Sequence, residues 1–421
     1  MNPPSNLDLI PGPQTKRQYV TAFPGGRDHY QMPLALSENG RLAGFATCFY
    51  RGRGVMARLP LAASRLRNRH CDGIDESAVE SMELTHLAAR IAKRAVQASR
   101  VGVWEDLAFA RRAVALAKKR RASMILYEFQ AEWAFRQPMR HDAARILFQF
   151  HPHPDLEHPL LLSDGERYPQ FLNGIRRNTR MNLSGFYRQH TREAWKDADH
   201  VIVASHFTAS SLFVAGCPKD RISVVPYGCS LGTLADALPR QPSPIERPYF
   251  LFVGSGTHRK GLHHLLEAWS GSRLSASHEL VVIARVIDPE IRVSLATARS
   301  VRHIQGVGAL ELPRWYASAK AFVLPSLAEG FGHVYLEALA CGCPVIGTRN
   351  SMLPDFAGAQ SHIRYAEPGE PESIRTEMNR VADLDPGDLF FCTGAVRESV
   401  KEWTWKRFRN GIESVLARFD R

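Results

Sequence analysis

The sequence predicts an α/β protein built from two doubly wound domains, and three observations predict it. A chain of 421 residues is long for a single core and suits two. Short apolar runs of strand length alternate with segments whose apolar residues recur at helical spacing. Glycine-rich turns stand where several of those runs stop, at 24–28, 254–261 and 329–332. Loops at the carboxyl ends of parallel strands are where open α/β sheets bind small molecules.

Composition narrows the class. Apolar residues make up 44% and charged residues 23%, the balance of a water-soluble globular chain. No run of eighteen apolar residues occurs, so no transmembrane helix is expected. The first residues, MNPPSNLDLIPGPQTKRQ, lack the apolar centre of a signal peptide. Seven cysteines in a chain this long fit a reducing cytoplasm. Cys341 and Cys343 have no second pair beside them, which argues against zinc there. The net charge of +12 is unevenly spread: residues 1–230 hold 32 Lys and Arg against 21 acids, residues 231–421 hold 22 against 21. The positive excess therefore belongs to the first half.

The first domain is expected over 18–230, after a Pro-rich, polar segment 1–17 expected to be disordered. Residues 19–23 read as its first strand, which ends in Gly25, Gly26 and Asp28 before a helix beginning at His29. A glycine loop between strand and helix suits an anion or substrate, and equally a plain tight turn. Six arginines and no acid lie between Arg51 and Arg69. Helices are expected at 84–100 and 105–121. The second interleaves Arg111, Arg112, Lys118, Lys119, Arg120 and Arg121 with Leu107, Phe109, Val114 and Leu116. Such a helix fits an anionic membrane surface or an ordinary solvated face. No recognition motif accompanies the charge, so nucleic acid is not expected. Strands follow at 124–129 and 145–150, the latter running into His151 and His153. A histidine at the end of a buried strand can face a cleft or serve the core. Arg176, Arg177, Arg180, Arg188 and Arg192 mark a second basic region within 168–196. Then come a strand at 201–204, a helix from Ser205 and a strand at 222–225.

Four prolines between 231 and 248 read as the linker. The second domain is expected over 249–400, opening with a strand at 249–253 and the turn Gly254 to Gly261, which carries Arg259 and Lys260. Two cations at a glycine-rich strand-to-helix turn make a pyrophosphate site by charge and geometry, or two solvated surface cations. Strands at 280–284 and 303–304 and a helix at 312–319 continue the alternation. The run Ala321 to Leu324 is a buried strand followed by Glu329, Gly330, Phe331 and Gly332 and then a helix carrying Glu337. The two carboxylates suit sugar or ribose hydroxyls; the spacing alone would also fit an N-cap and a solvated helix residue.

Glu329 and Glu337, within PSLAEGFGHVYLEALACGCPVI, resemble the signature of retaining glycosyltransferases of the two-Rossmann GT-B fold. That is the large glycosyltransferase family 4 type, the glycosyl transferases group 1, with its bacterial exopolysaccharide and lipid glycosyltransferases. The resemblance implies that Glu329 lies against the transferred sugar and Glu337 binds the ribose of the nucleotide. Gly330, Phe331 and Gly332 would border the donor. Arg259 and Lys260 would hold its diphosphate, with Ser255 where many members carry Arg. Gly25, Gly26 and Asp28 would lie between donor phosphate and acceptor. His151 would contact the donor sugar from the first domain, with His153 as the alternative. The unit from 201 to VVPYG at 224–228 is similar to the family's, Asp355 stands in place of a usual Glu, and the last helix, 401–421, would cross back onto the first domain.

The expected activity is therefore hexosyl transfer with retention, from a nucleotide-diphosphate sugar to a glycan, lipid-linked or small-molecule acceptor, in bacterial surface polysaccharide synthesis. No cofactor beyond that co-substrate is expected. No metal is expected either, since Asp197 and Asp199 precede a strand rather than follow one. A cytoplasmic place, peripheral on the membrane's inner face, goes with this. Two other readings fit the same fold: a non-catalytic nucleotide- or glycan-binding partner subunit, and a nucleotide-sugar-modifying enzyme such as an epimerase.

Overall fold

The structure is a computed structural model that describes residues 15–51, 69–93, 98–172, 192–230 and 243–420. Most of the arginine-rich stretch after Arg51, Arg176 to Arg188, and the linker up to residue 242 lie outside the described residues.

Two parallel sheets form the frame. The first joins seven strands: β1 (Tyr19–Ala22), β2 (Leu42–Thr47), β3 (Val79–Ser81), β4 (Ser123–Tyr127), β5 (Arg145–Gln149), β6 (His200–Val203) and β7 (Ile222–Val224). The second joins six: β8 (Tyr249–Val253), β9 (Glu279–Ile283), β10 (Val301–Ile304), β11 (Ala321–Leu324), β12 (Val345–Gly347) and β13 (Ile363–Tyr365). Every pairing in both is parallel. The central strands are apolar throughout because helices cover both faces; YFLFV in β8 and SMILY in β4 are fully buried.

Strand order matters more than strand count. The first sheet runs β3-β2-β1-β4-β5-β6-β7 and the second β10-β9-β8-β11-β12-β13. In each the winding reverses beside the first strand, between β1 and β4 and between β8 and β11. Crevices at the carboxyl ends of the strands open where the winding reverses. The loops after β1, β4, β8 and β11 are thereby singled out by topology alone.

Helices α1 (Gln31–Glu38), α2 (Glu83–Ala92), α3 (Ala98–Arg120), α4 (Glu128–Phe135), α5 (Pro154–Arg167) and α6 (His206–Val214) flank the first sheet. Strand β4 stops two residues earlier than the sequence suggests, so Glu128 opens α4 instead of lying in the sheet. The basic helix α3 buries Phe109, Ala113, Val114, Leu116 and Ala117 in the core of its own domain, while Lys118, Lys119, Arg120 and Arg121 are exposed. Its apolar face is thus occupied, and it cannot lie in a bilayer as an amphipathic helix does; only the charged edge faces outward.

In the second domain, α7 (Leu262–Ser270) follows β8 and α8 (Pro289–Thr297) follows β9. Next come α9 (Leu312–Ser318), α10 (His333–Ala340), α11 (Pro371–Asp383) and α12 (Thr393–Glu398). The last helix, α13 (Trp405–Ala417), returns to the first domain and packs on α1. Its anchor is Arg41, whose side chain is 1% exposed and forms bidentate pairs with Glu413 at 2.6 and 2.8 Å and with Asp420 at 2.5 and 2.7 Å. Asp420 in turn has its carboxyl held below the usual range, chiefly by that guanidinium. Removing one partner of a buried pair strands the others. Arg41→Ala is expected to cost about 3–5 kcal/mol of unfolding free energy in urea melts, and a loss under about 1 kcal/mol, the level of exposed pairs, would show that the anchor is not structural.

Candidate functional site

The loop after β8 makes a tight approach. Gly261 has φ +68°, and a side chain there would meet the Pro325 carbonyl at 2.1 Å, so glycine lets the loops after β8 and β11 close on each other. Arg259 Nη1 donates to Ala328 O at 2.7 Å and to Glu329 Oε2 at 3.1 Å. Lys260 Nζ donates to the same carboxylate oxygen, and Glu157 on α5 lies 3.9 Å from Arg259 Nε. Neither cation is a solvated surface group: the side chains are 25% and 14% exposed. Burial alone would raise the Glu329 carboxyl, but the charges of Arg259 and Lys260 outweigh it and hold it at about 2. Burial pulls the Lys260 ammonium down, against the lift from Glu329.

Glu329 is not an N-cap. That position belongs to Gly332, at φ +80°, with no side-chain cap; a Cβ on it would meet the Tyr335 ring at 2.7 Å. Phe331 is buried against Tyr227 of the first domain, ring centroids 5.2 Å apart. Glu337 is half-buried and accepts from the Tyr316 hydroxyl at 3.1 Å, and burial pushes its carboxyl up. Ser255 is exposed at the head of its turn.

The two domains touch at Gly330. A Cβ there would lie 2.0 Å from the Phe150 carbonyl oxygen and 3.2 Å from His151 Cα, so the backbone of the second domain rests on the strand end of the first. Ser205 Oγ and Thr208 Oγ1 both donate to Gly330 O. His206 N–H donates to Asp355 at 2.9 Å. His151 thereby stands beside Glu329. Its Nδ1 is 2.7 Å from Glu128 Oε1 and its backbone N–H donates to Oε2 at 3.3 Å, a pair that orients the ring and fixes Nδ1 as the protonated nitrogen. His153 is otherwise employed. It caps α5 by accepting from Asp155 N–H, and its other nitrogen meets Arg192 O at 2.9 Å, so it belongs to the core.

Opposite lies the loop after β1. Asp28, His29 and Tyr30 all have left-handed backbone, φ 48°, 51° and 63°, a conformation disfavoured for side chains with a Cβ and concentrated at binding sites. Tyr127 donates to Asp28 Oδ2 at 2.7 Å, and His333 Nε2 of the second domain comes within 4.0 Å of Oδ1. Gly25 donates to Cys48 Sγ at 3.1 Å and Gly26 packs on Tyr30. The loops expected at 25–28, 151, 259–260 and 329–332 therefore come together where the two domains meet; Glu337 lies one turn deeper in α10, and Ser255 stands at the head of the β8 loop.

Four residues here carry no sequence expectation. Glu128 grips His151. Arg27 lies over the Phe150 ring, 4.0 Å from its centroid. Glu157 backs Arg259, and His333 stacks on Tyr227 at 4.6 Å. Only Glu128 leaves a local trace, a charge at the end of an apolar run.

Comparison with known proteins places this arrangement. Residues 247–383 match the family described as Glycosyl transferases group 1. The O-antigen chain mannosyltransferase B of Escherichia coli is 27% identical over 204 residues, 44% of this chain and 52% of that protein. The MMP alpha-(1->4)-mannosyltransferase of Mycolicibacterium hassiacum is 24% identical over 228 residues, 53% and 54% of the two chains. The chain thus spans about half the length of the curated relatives it matches. Among solved structures, sucrose-phosphate synthase of Thermosynechococcus elongatus superposes with TM-score 0.62 at 17% identity, covering 96% of this chain and 99% of that one. An alpha,alpha-trehalose-phosphate synthase (UDP-forming) of Burkholderia vietnamiensis gives 0.65 at 10%, with 96% and 98% covered. The fold of the described residues is GT-B, and the resemblance to group 1 glycosyltransferases holds.

The ion pairs of Glu329 stabilise the fold fully above its unfolded value of 4.5, and that contribution is lost as pH falls through about 2. The unfolding free energy of the wild type relative to Glu329→Gln, from urea melts, is expected to fall by on the order of 3 kcal/mol between about pH 5 and about pH 2. A pH-independent difference would show that the carboxylate is not held by the two cations.

Proposed function

We propose that this protein is a retaining hexosyltransferase that uses a nucleotide-diphosphate sugar. The observation that carries this reading is the convergence of Arg259, Lys260 and Glu329 at the switch point of the second sheet, against His151 from the first. The C1–O bond of the donor breaks, and its electron pair leaves with the diphosphate. Arg259 and Lys260 stabilise that growing charge, and the N-terminus of α10 adds to it. A hydroxyl of the acceptor adds to the same face of C1, and its proton departs with the leaving group. Glu329 holds the sugar and faces the positive charge on the ring, while Glu337 takes the ribose hydroxyls. With Nδ1 held by Glu128, His151 meets the sugar through Nε2. Closure of the crevice excludes water and so limits hydrolysis.

Both cations pair with Glu329. The donor diphosphate must take over part of that pairing, freeing the carboxylate for the sugar. Two basic side chains do the work of a divalent ion in this scheme, so the rate is expected not to respond to added Mg2+ or Mn2+.

The sequence relatives named as mannosyltransferases support a mannosyl donor, and the one from the O-antigen system supports a glycan or lipid-linked acceptor in bacterial surface polysaccharide synthesis. Among the described residues no helix is long and apolar enough to cross a membrane. Peripheral contact with the inner leaflet of the cytoplasmic membrane would rest on the exposed edge Lys118 to Arg121, by charge alone.

A thermal-shift screen against UDP, GDP and ADP and their sugars identifies the donor, and the anomeric configuration of the product by NMR tests retention. Lys260→Ala should weaken binding of the free nucleoside diphosphate about 10-fold or more by calorimetry. Glu329→Gln should bind it at least as tightly as wild type yet lose about 100-fold or more in transfer. Equal nucleotide affinity in Lys260→Ala would remove the phosphate role. Wild-type protein should sediment with anionic liposomes at low salt and charge reversal at 118–121 should abolish this; wild-type protein that ignores such liposomes would end the membrane assignment.

A further inference from the structure

Asp164, near the end of α5, projects from the first domain into the loop and helix that follow β8. Its side chain is 4% exposed. His258 Nε2 lies 2.6 Å and His263 Nε2 3.2 Å from its Oδ2, and His264 Nε2 lies 2.8 Å from Oδ1. The three rings are themselves 3%, 2% and 0% exposed. His258 and His263 stack, centroids 4.7 Å apart, and Phe171 and Tyr168 wall the cluster off.

One carboxylate cannot satisfy three imidazoles. Only His263 meets Asp164 with hydrogen-bond geometry. Both nitrogens of His258, both of His264, Nδ1 of His263 and Oδ1 of Asp164 are buried without a hydrogen-bond partner. Buried polar atoms that converge and stay unpaired call for a guest. The carboxylate oxygens reach the His258 and His264 nitrogens at short range without making a hydrogen bond to them. The ligand atoms of Asp164, His258 and His263 all lie within 4.8 Å of one another. Zinc bonds of about 2.0–2.2 Å set tetrahedral ligand atoms roughly 3.3 Å apart, so a modest shift seats an ion.

We propose that Asp164, His258 and His263 bind a divalent first-row transition metal, zinc foremost, that fastens the first domain to the donor loop of the second. Two imidazoles and one carboxylate are ligands of this borderline class rather than of Mg2+ or Ca2+. His264, with Nε2 2.8 Å from the second carboxylate oxygen, is a positioning residue that would turn to hold that oxygen once the ion takes the first. The ion would be structural, and no step of the reaction runs through it. Its ligand His258 stands one residue before Arg259 in the chain, so the ion would fix where both phosphate-binding cations stand relative to α5. The site does not depend on the glycosyltransferase reading.

The test uses untagged full-length protein, stripped with a chelator and reloaded with zinc alone or cobalt(II) alone. Wild type should retain one zinc per chain through gel filtration and melt at a higher temperature than the stripped protein. The double variant His258→Gln/His263→Gln should bind at least about 100-fold more weakly, and His264→Gln roughly 10- to 100-fold more weakly. The cobalt form should show d–d absorption without a thiolate charge-transfer band, which separates this site from the seven cysteines. Hydrogen exchange along α5 and 257–264 should rise on stripping. Wild type that retains no zinc, or a double variant that binds it equally well, would overturn the proposal. Should the double variant fail to fold, a cobalt spectrum of the wild type that shows thiolate charge transfer, or no d–d absorption, overturns it by itself.

Discussion

The contact on which the molecule turns is the seat of Gly330 against the end of β5. A backbone with no side chain rests directly on the Phe150 carbonyl, and two hydroxyls from the first domain close on the Gly330 carbonyl. Everything functional is measured from that point. It sets Glu329 beside His151, and Glu329 in turn gathers Arg259 and Lys260. Without so close an approach the two switch points would face each other across water, and the charges would be screened rather than paired.

The second domain was the more legible. Its strands are short and apolar, its turns are marked by glycine, and YFLFV and AFVL fall where the sequence puts them. The loops carrying 254–261 and 329–332 could be placed because a sharp change from strand to glycine is a local signal. The first domain hid more. Strand β4 reads on through Phe129 by composition, and its true end at Tyr127 is set by Glu128 turning to meet His151, a residue 23 positions away. The basic helix α3 looked amphipathic enough for a membrane, yet its apolar side is filled by the sheet. Periodicity reports that a face is buried and is silent about what buries it.

Side-chain clusters were the least legible. His258, His263 and His264 fall within a turn and helix that the sequence marks out, but nothing in the sequence groups them. Their partner Asp164 is 99 residues from His263 and lies in α5, where no motif announces it. Asp28 offered a loop without its strained backbone, and the strain becomes visible only once Tyr127 and His333 are seen to hold it from both domains. Such constellations are properties of packing between elements, which no window of sequence contains.

The return of the chain has a mechanical consequence. Residues 225–229 leave the first domain and 403–405 re-enter it, and the two crossings are bonded side by side: Cys229 N–H donates to Trp403 O at 3.0 Å, and a Cβ on Gly228 would lie 2.2 Å from the Thr404 carbonyl carbon. Beyond the second crossing, Arg41 pins the tail. Paired spans welded together behave as a single pivot, not as two loose cords. Rotation about the line these spans share would then be the cheap deformation, while sliding and twisting would strain both spans at once, as for two covers joined along one spine.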